Sequence, residues 1–203
     1  MNEAFSKVLY IGPVNDYGGI AAVISSYARH INNIKLISTL SPNYRSNKLI
    51  SFIHVLYSVN NFLNKDQEVQ ILHIHSASKN SFLRKVFIAF IGKLHGKQIV
   101  FHIHGGAFDQ FYLKSGVLKI FIRLILRQMD MIICLSEEWR LFFVNSIGLS
   151  KVEVVGNPVD CKVDNSISLD DEILHLLFLG KICDNKGIFD LLAYLKTNKY
   201  FLN

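Results

Sequence analysis

Short apolar runs alternate with amphipathic stretches along most of this chain, and that alternation restricts its fold more than any other feature. Val8-Leu9-Tyr10-Ile11 reads as a buried strand, ended by Gly12-Pro13. After Gly18-Gly19, Ile20, Ile24, Tyr27 and Ile31 recur at helical spacing. Residues 34–38 read as a second strand, and Leu49, Phe52, Leu56, Val59 and Leu63 mark the next helix. The pattern continues with strands at 69–75, 98–103, 131–135 and 151–155. Helices are expected at 81–94, at 112–127 and between Ser136 and Gly148. Strand and helix in strict succession predict an α/β fold, a Rossmann-like doubly wound parallel sheet.

Half of the residues are hydrophobic and 19% are charged, which suits a packed core and excludes a disordered chain. Two hundred and three residues suffice for one full core, or for one domain and part of another. A polar stretch at 161–172 has the composition of a linker. The expected organisation is a domain over 1–160, the linker, and at 173–203 the first strand (174–179) and helix of a second α/β unit.

The net charge of +6 favours an anionic partner without saying which. Nucleic acid is not expected, because the basic residues do not interleave with aromatics in any recognisable module. Cys134, Cys161 and Cys183 are odd in number and far apart, which argues against a disulfide framework and for a reducing compartment. The first residues lack the basic head and apolar stretch of a secretory signal. The most apolar run, 117–126, is too short to span a bilayer and carries Lys119 and Arg123, so a cytoplasmic location is expected.

In an open parallel sheet, ligands bind at the carboxyl ends of the strands. Four segments fall there. The Gly18-Gly19 pair precedes a helix, where backbone N–H groups can approach a phosphate or sugar oxygen, although a plain turn explains it equally well. In His102-Ile103-His104-Gly105-Gly106 the two histidines share one side of a strand. His104 suits a substrate hydroxyl, and His102 suits a core position. A metal pair with His73 or His75 is the least favoured reading, because no carboxylate or cysteine accompanies them at ligand spacing. Ser136, before Glu137 and Glu138, reads as a helix cap. Lys181 and Lys186, set among glycines after an expected strand, suit a diphosphate.

Taken in order, the Gly-Gly loop, the His-Gly loop, the Leu-Ser-Glu turn, Asn157-Pro158-Val159-Asp160 and the Gly-Lys…Lys-Gly segment resemble the retaining, sugar-nucleotide-dependent glycosyltransferases of family 4. That family has the GT-B architecture of two facing Rossmann-like domains. The resemblance implies a nucleoside-diphosphate sugar as donor, a polysaccharide or glycolipid acceptor, and no metal or other cofactor. It implies that Gly18 and Gly19 border the cleft, that His104, beside the open Gly105, contacts the transferred sugar as the catalytic residue, and that Lys181 and Lys186 bind the donor diphosphate. The family usually has arginine at the place of Lys181 and Asn-Gly-Val-Asp at the place of Asn157-Pro158-Val159-Asp160. Its Glu-x7-Glu segment would lie beyond residue 203, so the chain by itself is expected to be inactive, with a truncated donor domain. The rival readings are an acceptor-binding or membrane-docking half that works with a separate donor-domain chain, and an inactive remnant.

Within 112–127, Lys119, Arg123 and Arg127 recur at i, i+4, i+8 beside Val117, Leu118, Phe121, Leu124 and Ile125. A basic amphipathic helix of this kind suits an anionic membrane surface, and equally an ordinary packing helix. The resemblance agrees with peripheral contact at the inner face of the cytoplasmic membrane.

Overall fold

The computed structural model describes residues 5–14, 18–39, 47–105, 107–159, 176–180 and 182–197. The chain divides into two compact units, Met1–Asp160 and Cys161–Asn203.

The first unit is a six-stranded parallel sheet. Its strands are β1 (Val8–Gly12), β2 (Lys35–Ser38), β3 (Ile71–Ser76), β4 (Gln98–Ile103), β5 (Met131–Cys134) and β6 (Val152–Val154). Its helices are α1 (Gly19–His30), α2 (Lys48–Lys65), α3 (Asn80–Leu94), α4 (Phe108–Lys114), α5 (Leu118–Arg127) and α6 (Glu137–Leu141), the last running on into a π-helical turn, Phe142–Ile147. The strand order is β2-β1-β3-β4-β5-β6. From β1 the chain steps outward to β2 and then crosses back to β3, so it reverses direction between β1 and β3. The carboxyl-end crevice at such a reversal is where open α/β sheets take ligands.

Right-handed crossovers place α1 on one face of the sheet and α2 to α6 on the other. The second face holds the main core. Leu9, Ile11, Leu72, Ile74, Ile99, Phe101 and Ile132 meet Val59 and Leu63 of α2, Phe82 and Ile88 of α3, and Ile122 and Leu126 of α5. Each such side chain contributes about 1.5–3 kcal/mol on burial. Asp130 fastens the β4–β5 edge, its carboxylate accepting from the Ile99 N–H at 2.7 Å and from the Lys93 ammonium at 2.5 Å.

Two expected elements differ. The helix expected over 112–127 is two helices, broken where Gly116 takes φ 54°, a left-handed conformation that ends α4. The strand expected over 174–179 is absent from 176–179, and residues 174 and 175 lie outside the described residues. A strand needs a neighbour for its backbone groups, and no other strand stands among the described residues of that unit. Leu177 and Leu179 are instead about nine-tenths exposed. That unit contains a 3-10 turn, Asp184–Lys186, and α7 (Ile188–Thr197), and none of its described residues is buried.

Candidate functional site

Alternation along β1, β3 and β4 turns Tyr10, His73, His75 and His102 toward α1, away from the main core. The parallel register sets His75 directly opposite His102. Gly12 lets α1 close over this face, because a Cβ there would stand 2.2 Å from Ile24 Cδ1 and 3.2 Å from His75 Cβ. Tyr10 packs on His73 at 5.1 Å between ring centroids, and Tyr27 of α1 packs on His75 at 5.8 Å.

His104, one residue past β4, joins the group. Its ring stacks on His102 at 4.1 Å, and His73 stacks on His75 at 4.5 Å. Two ring-to-ring hydrogen bonds cross between the strands, His75 Nδ1 to His104 Nε2 at 2.7 Å and His73 Nε2 to His102 Nδ1 at 3.2 Å. His75 Nε2, His102 Nε2 and His104 Nδ1 are buried and find no hydrogen-bond partner among the described residues. Buried polar atoms in that state are uncommon in folded proteins.

Burial sets the charge of the cluster. It pushes His73 down to about 4, with His104 nearby adding repulsion. His102 falls to about 2 for the same two reasons, with His73 contributing as well. His75 lies well below the ordinary imidazole range, mainly through burial, with His73, His102, His104 and Lys85 acting the same way. Burial takes His104 to about 4, while the polar side chain of Asn157, which favours the charged ring, pulls the other way. Near neutral pH all four rings are therefore uncharged, each with one N–H to donate and one lone pair to accept. Such a wall can hydrogen-bond hydroxyl groups without adding charge. One nitrogen from each of His73, His75 and His102 also falls within 4.8 Å of the others. Three imidazoles match part of a zinc donor set, and no carboxylate or cysteine joins them in that group among the described residues.

The loops at this end hold unusual backbone. Gly105 takes φ 71° and lies under the Trp139 indole, where a Cβ would stand 3.4 Å from Nε1. Ala107 and Lys79 are non-glycine residues at φ 60° and 56°, each leading into a helix. Strain of this kind collects at functional sites. Gly18 (φ 157°) and Gly19 open α1, and no described atom lies within 4 Å of where their Cβ atoms would be.

Of the residues expected at a site, His104, Gly105, Gly18 and Gly19 stand at the carboxyl ends of β4 and β1. Lys186 is exposed in its 3-10 turn, and Lys181 lies outside the described residues. Ser136 caps α6, its hydroxyl accepting from the Trp139 N–H at 3.4 Å. Lys119, Arg123 and Arg127 line one flank of α5, with Lys119 over the Tyr112 ring and Arg127 donating to the Gly148 carbonyl. Beside them Val117, Leu118, Phe121 and Leu124 are exposed, whereas Ile125, expected on the same apolar face, packs on the core. A surface depression of about 850 Å³ lies elsewhere, between α2 and the segment before β3, lined by Tyr57, Phe62, Asp66 and Glu68 among others.

Sequence reasoning quoted Asn157 only within the Asn157-Pro158-Val159-Asp160 segment, gave no role at the site to Tyr10 or Tyr27, and considered His73 and His75 only in the least favoured, metal reading. The His-x-His repeat shared by 73–75 and 102–104 was the signal that could have joined all four rings.

Residues 20–163 match the family model described as Glycosyltransferase Family 4. No curated relative matches the chain. An α/β unit with a six-stranded parallel sheet, a buried histidine cluster across β3 and β4, and a family match over more than half of the chain lead to one placement: the chain belongs to glycosyltransferase family 4.

Proposed function

We propose that the chain serves transfer of a sugar, with retention, from a nucleoside-diphosphate sugar to a polysaccharide or glycolipid acceptor, and that its first unit holds the acceptor side. The observation that carries this reading is the uncharged imidazole cluster across β3 and β4, ending in His104 at the carboxyl end of β4, in a family 4 domain. In this reading His104 hydrogen-bonds the transferred sugar, Gly18 and Gly19 border the cleft, and Lys181 and Lys186 face the donor diphosphate. Neutral imidazoles position hydroxyls, and a cation on the donor side offsets charge on the departing diphosphate. The transfer itself uses no metal.

The 203 residues alone are proposed to bind acceptor rather than to turn over. Transfer requires both substrates held together, and the second unit has no buried residue among those described. The protein would act in the cytoplasm, at the inner membrane face. No helix among the described residues is long and apolar enough to cross a membrane, and α5 offers exposed apolar side chains beside three cations.

The test joins the chain to a complete donor-binding domain and supplies nucleoside-diphosphate sugars with lipid-linked acceptors. Product should keep the donor's anomeric configuration, and His104→Ala should lower turnover more than His102→Ala. Inverted product would refute retention, and equal activity in the His104 variant would remove that residue. Robust product from the 203-residue chain alone would overturn the binding-only assignment.

A further inference from the structure

Lys85 is the group for which neither the core nor the histidine face has a use. It lies on α3, one and a half turns from the helix start, and is 5% exposed. Its ammonium donates to Thr39 Oγ1 at 3.2 Å. Thr39 in turn is fixed beside the end of β1, its N–H donating to the Gly12 carbonyl at 2.9 Å. Lys85 is thus delivered to the carboxyl end of the sheet at the β1–β3 reversal, close enough to His75 to repel a proton there. No carboxylate pairs with it among the described residues, and the charged neighbour that acts on it is another cation, Arg84.

A buried ammonium with a single neutral partner is an expensive arrangement. Burial, helped by Arg84, lowers Lys85 to about 8, which leaves it mostly charged at neutral pH, with no counter-ion among the described residues. A small cavity of about 20 Å³ adjoins it, lined by Thr39, Ser51, Arg84 and Lys85 together with apolar side chains of α2 and α3. That is space for one water or one ligand oxygen. The walls offer two hydroxyls and two cations, the donor set an oxyanion requires.

We propose that Lys85 and Thr39, with Arg84 at the rim, bind a phosphoryl group of the acceptor substrate. The assignment rests on the reading of the first unit as the acceptor side, and it names the acceptor class: a phosphate or diphosphate ester, such as a lipid-linked sugar carrier. The reducing-end phosphate would sit at the carboxyl end of the sheet, beside the ends of β1 and β2.

The test is calorimetric binding of inorganic pyrophosphate, geranyl diphosphate and a nucleoside diphosphate to the 203-residue chain, its Lys85→Met and Lys85→Arg variants, and Thr39→Val. Pyrophosphate and geranyl diphosphate should bind the parent, weaken about tenfold or more in Lys85→Met, and persist in Lys85→Arg. Thr39→Val should show a smaller loss in the same direction, which keeps the test informative if Lys85→Met folds poorly. Lys85→Met is expected to melt at or above the parent temperature, because it removes an unpaired buried charge while keeping the stem. A lower melting temperature with unchanged pyrophosphate binding would make Lys85 a structural residue and overturn the proposal. Dependence on Lys85 for the nucleoside diphosphate alone would overturn the acceptor assignment, as would no binding of any probe. Lys85-dependent pyrophosphate binding without glycosyl transfer by the joined protein would sink the proposed function and leave this site standing. Transfer that persists unchanged in Lys85→Met would do the reverse.

Discussion

Mild acid should unfold the first unit through its histidines. In an unfolded chain an imidazole takes up its proton near pH 6.5. In the fold His73 and His104 resist until about 4 and His102 until about 2, and His75 is held well below its ordinary value. These values are depressed, so below pH 6.5 the unfolded chain binds protons that the folded chain refuses. Stability is therefore complete above about 6.5 and declines as pH falls toward 4. Each such histidine removes about 1.4 kcal/mol per pH unit, and four remove at most about 5.5 kcal/mol per unit. Against a typical domain stability of about 5–15 kcal/mol, unfolding should set in near pH 5. Lys85, lowered to about 8, is protonated in both states throughout this window and does not change the slope. The lowered carboxyls of Asp66 and Asp130 titrate below the ordinary carboxylate range, under most of it. The assay is urea unfolding at pH 7.5, 6.5 and 5.5, followed by the fluorescence of Trp139, the one tryptophan, which lies against Gly105. His73→Gln should make the decline shallower by about one proton's worth. A midpoint unchanged between pH 7.5 and 5.5 would refute the claim that these rings are buried and neutral.

Gly12→Ala should cost about 1–3 kcal/mol in thermal denaturation, since its Cβ meets Ile24 and His75; Ile24→Val in the same chain should recover part of the loss, and an unchanged melting temperature would show that α1 does not close over β1 as described. Ser136→Ala should cost about 1 kcal/mol by leaving the Trp139 N–H uncapped, read in the same denaturation. Asp130→Ala should cost more than Lys93→Ala, because it also strands the Ile99 N–H. In liposome sedimentation the chain should bind vesicles containing acidic lipid, bind less as salt is added, and lose binding when Lys119, Arg123 and Arg127 are together changed to Gln. Equal binding of that triple variant would rule out the α5 flank as the contact.

The alternating pattern alone determined the order and kind of nearly every element in the first unit, because an apolar period of two or near 3.6 is set by local geometry. It also placed His102 and His104 on one side of a strand, since side chains two apart on a strand share a face. What no local pattern contains is which strand lies beside which, and in what register. Only the pairing of β3 with β4 set His75 against His102 and His104 and made two separate His-x-His repeats one cluster. Their loss of charge is equally a tertiary effect, produced by burial under α1 and by one another. Lys85 shows the same division. In sequence it is one lysine in an amphipathic helix, indistinguishable from solvated neighbours; in the fold, the packing of α3 against the sheet takes it out of water and sets it beside Thr39, 46 residues away. The break at Gly116 and the exposed stretch 176–179 escaped the pattern for a related reason. Apolar spacing continues through a left-handed glycine, and an apolar run becomes a strand only where a neighbouring strand takes up its backbone hydrogen bonds.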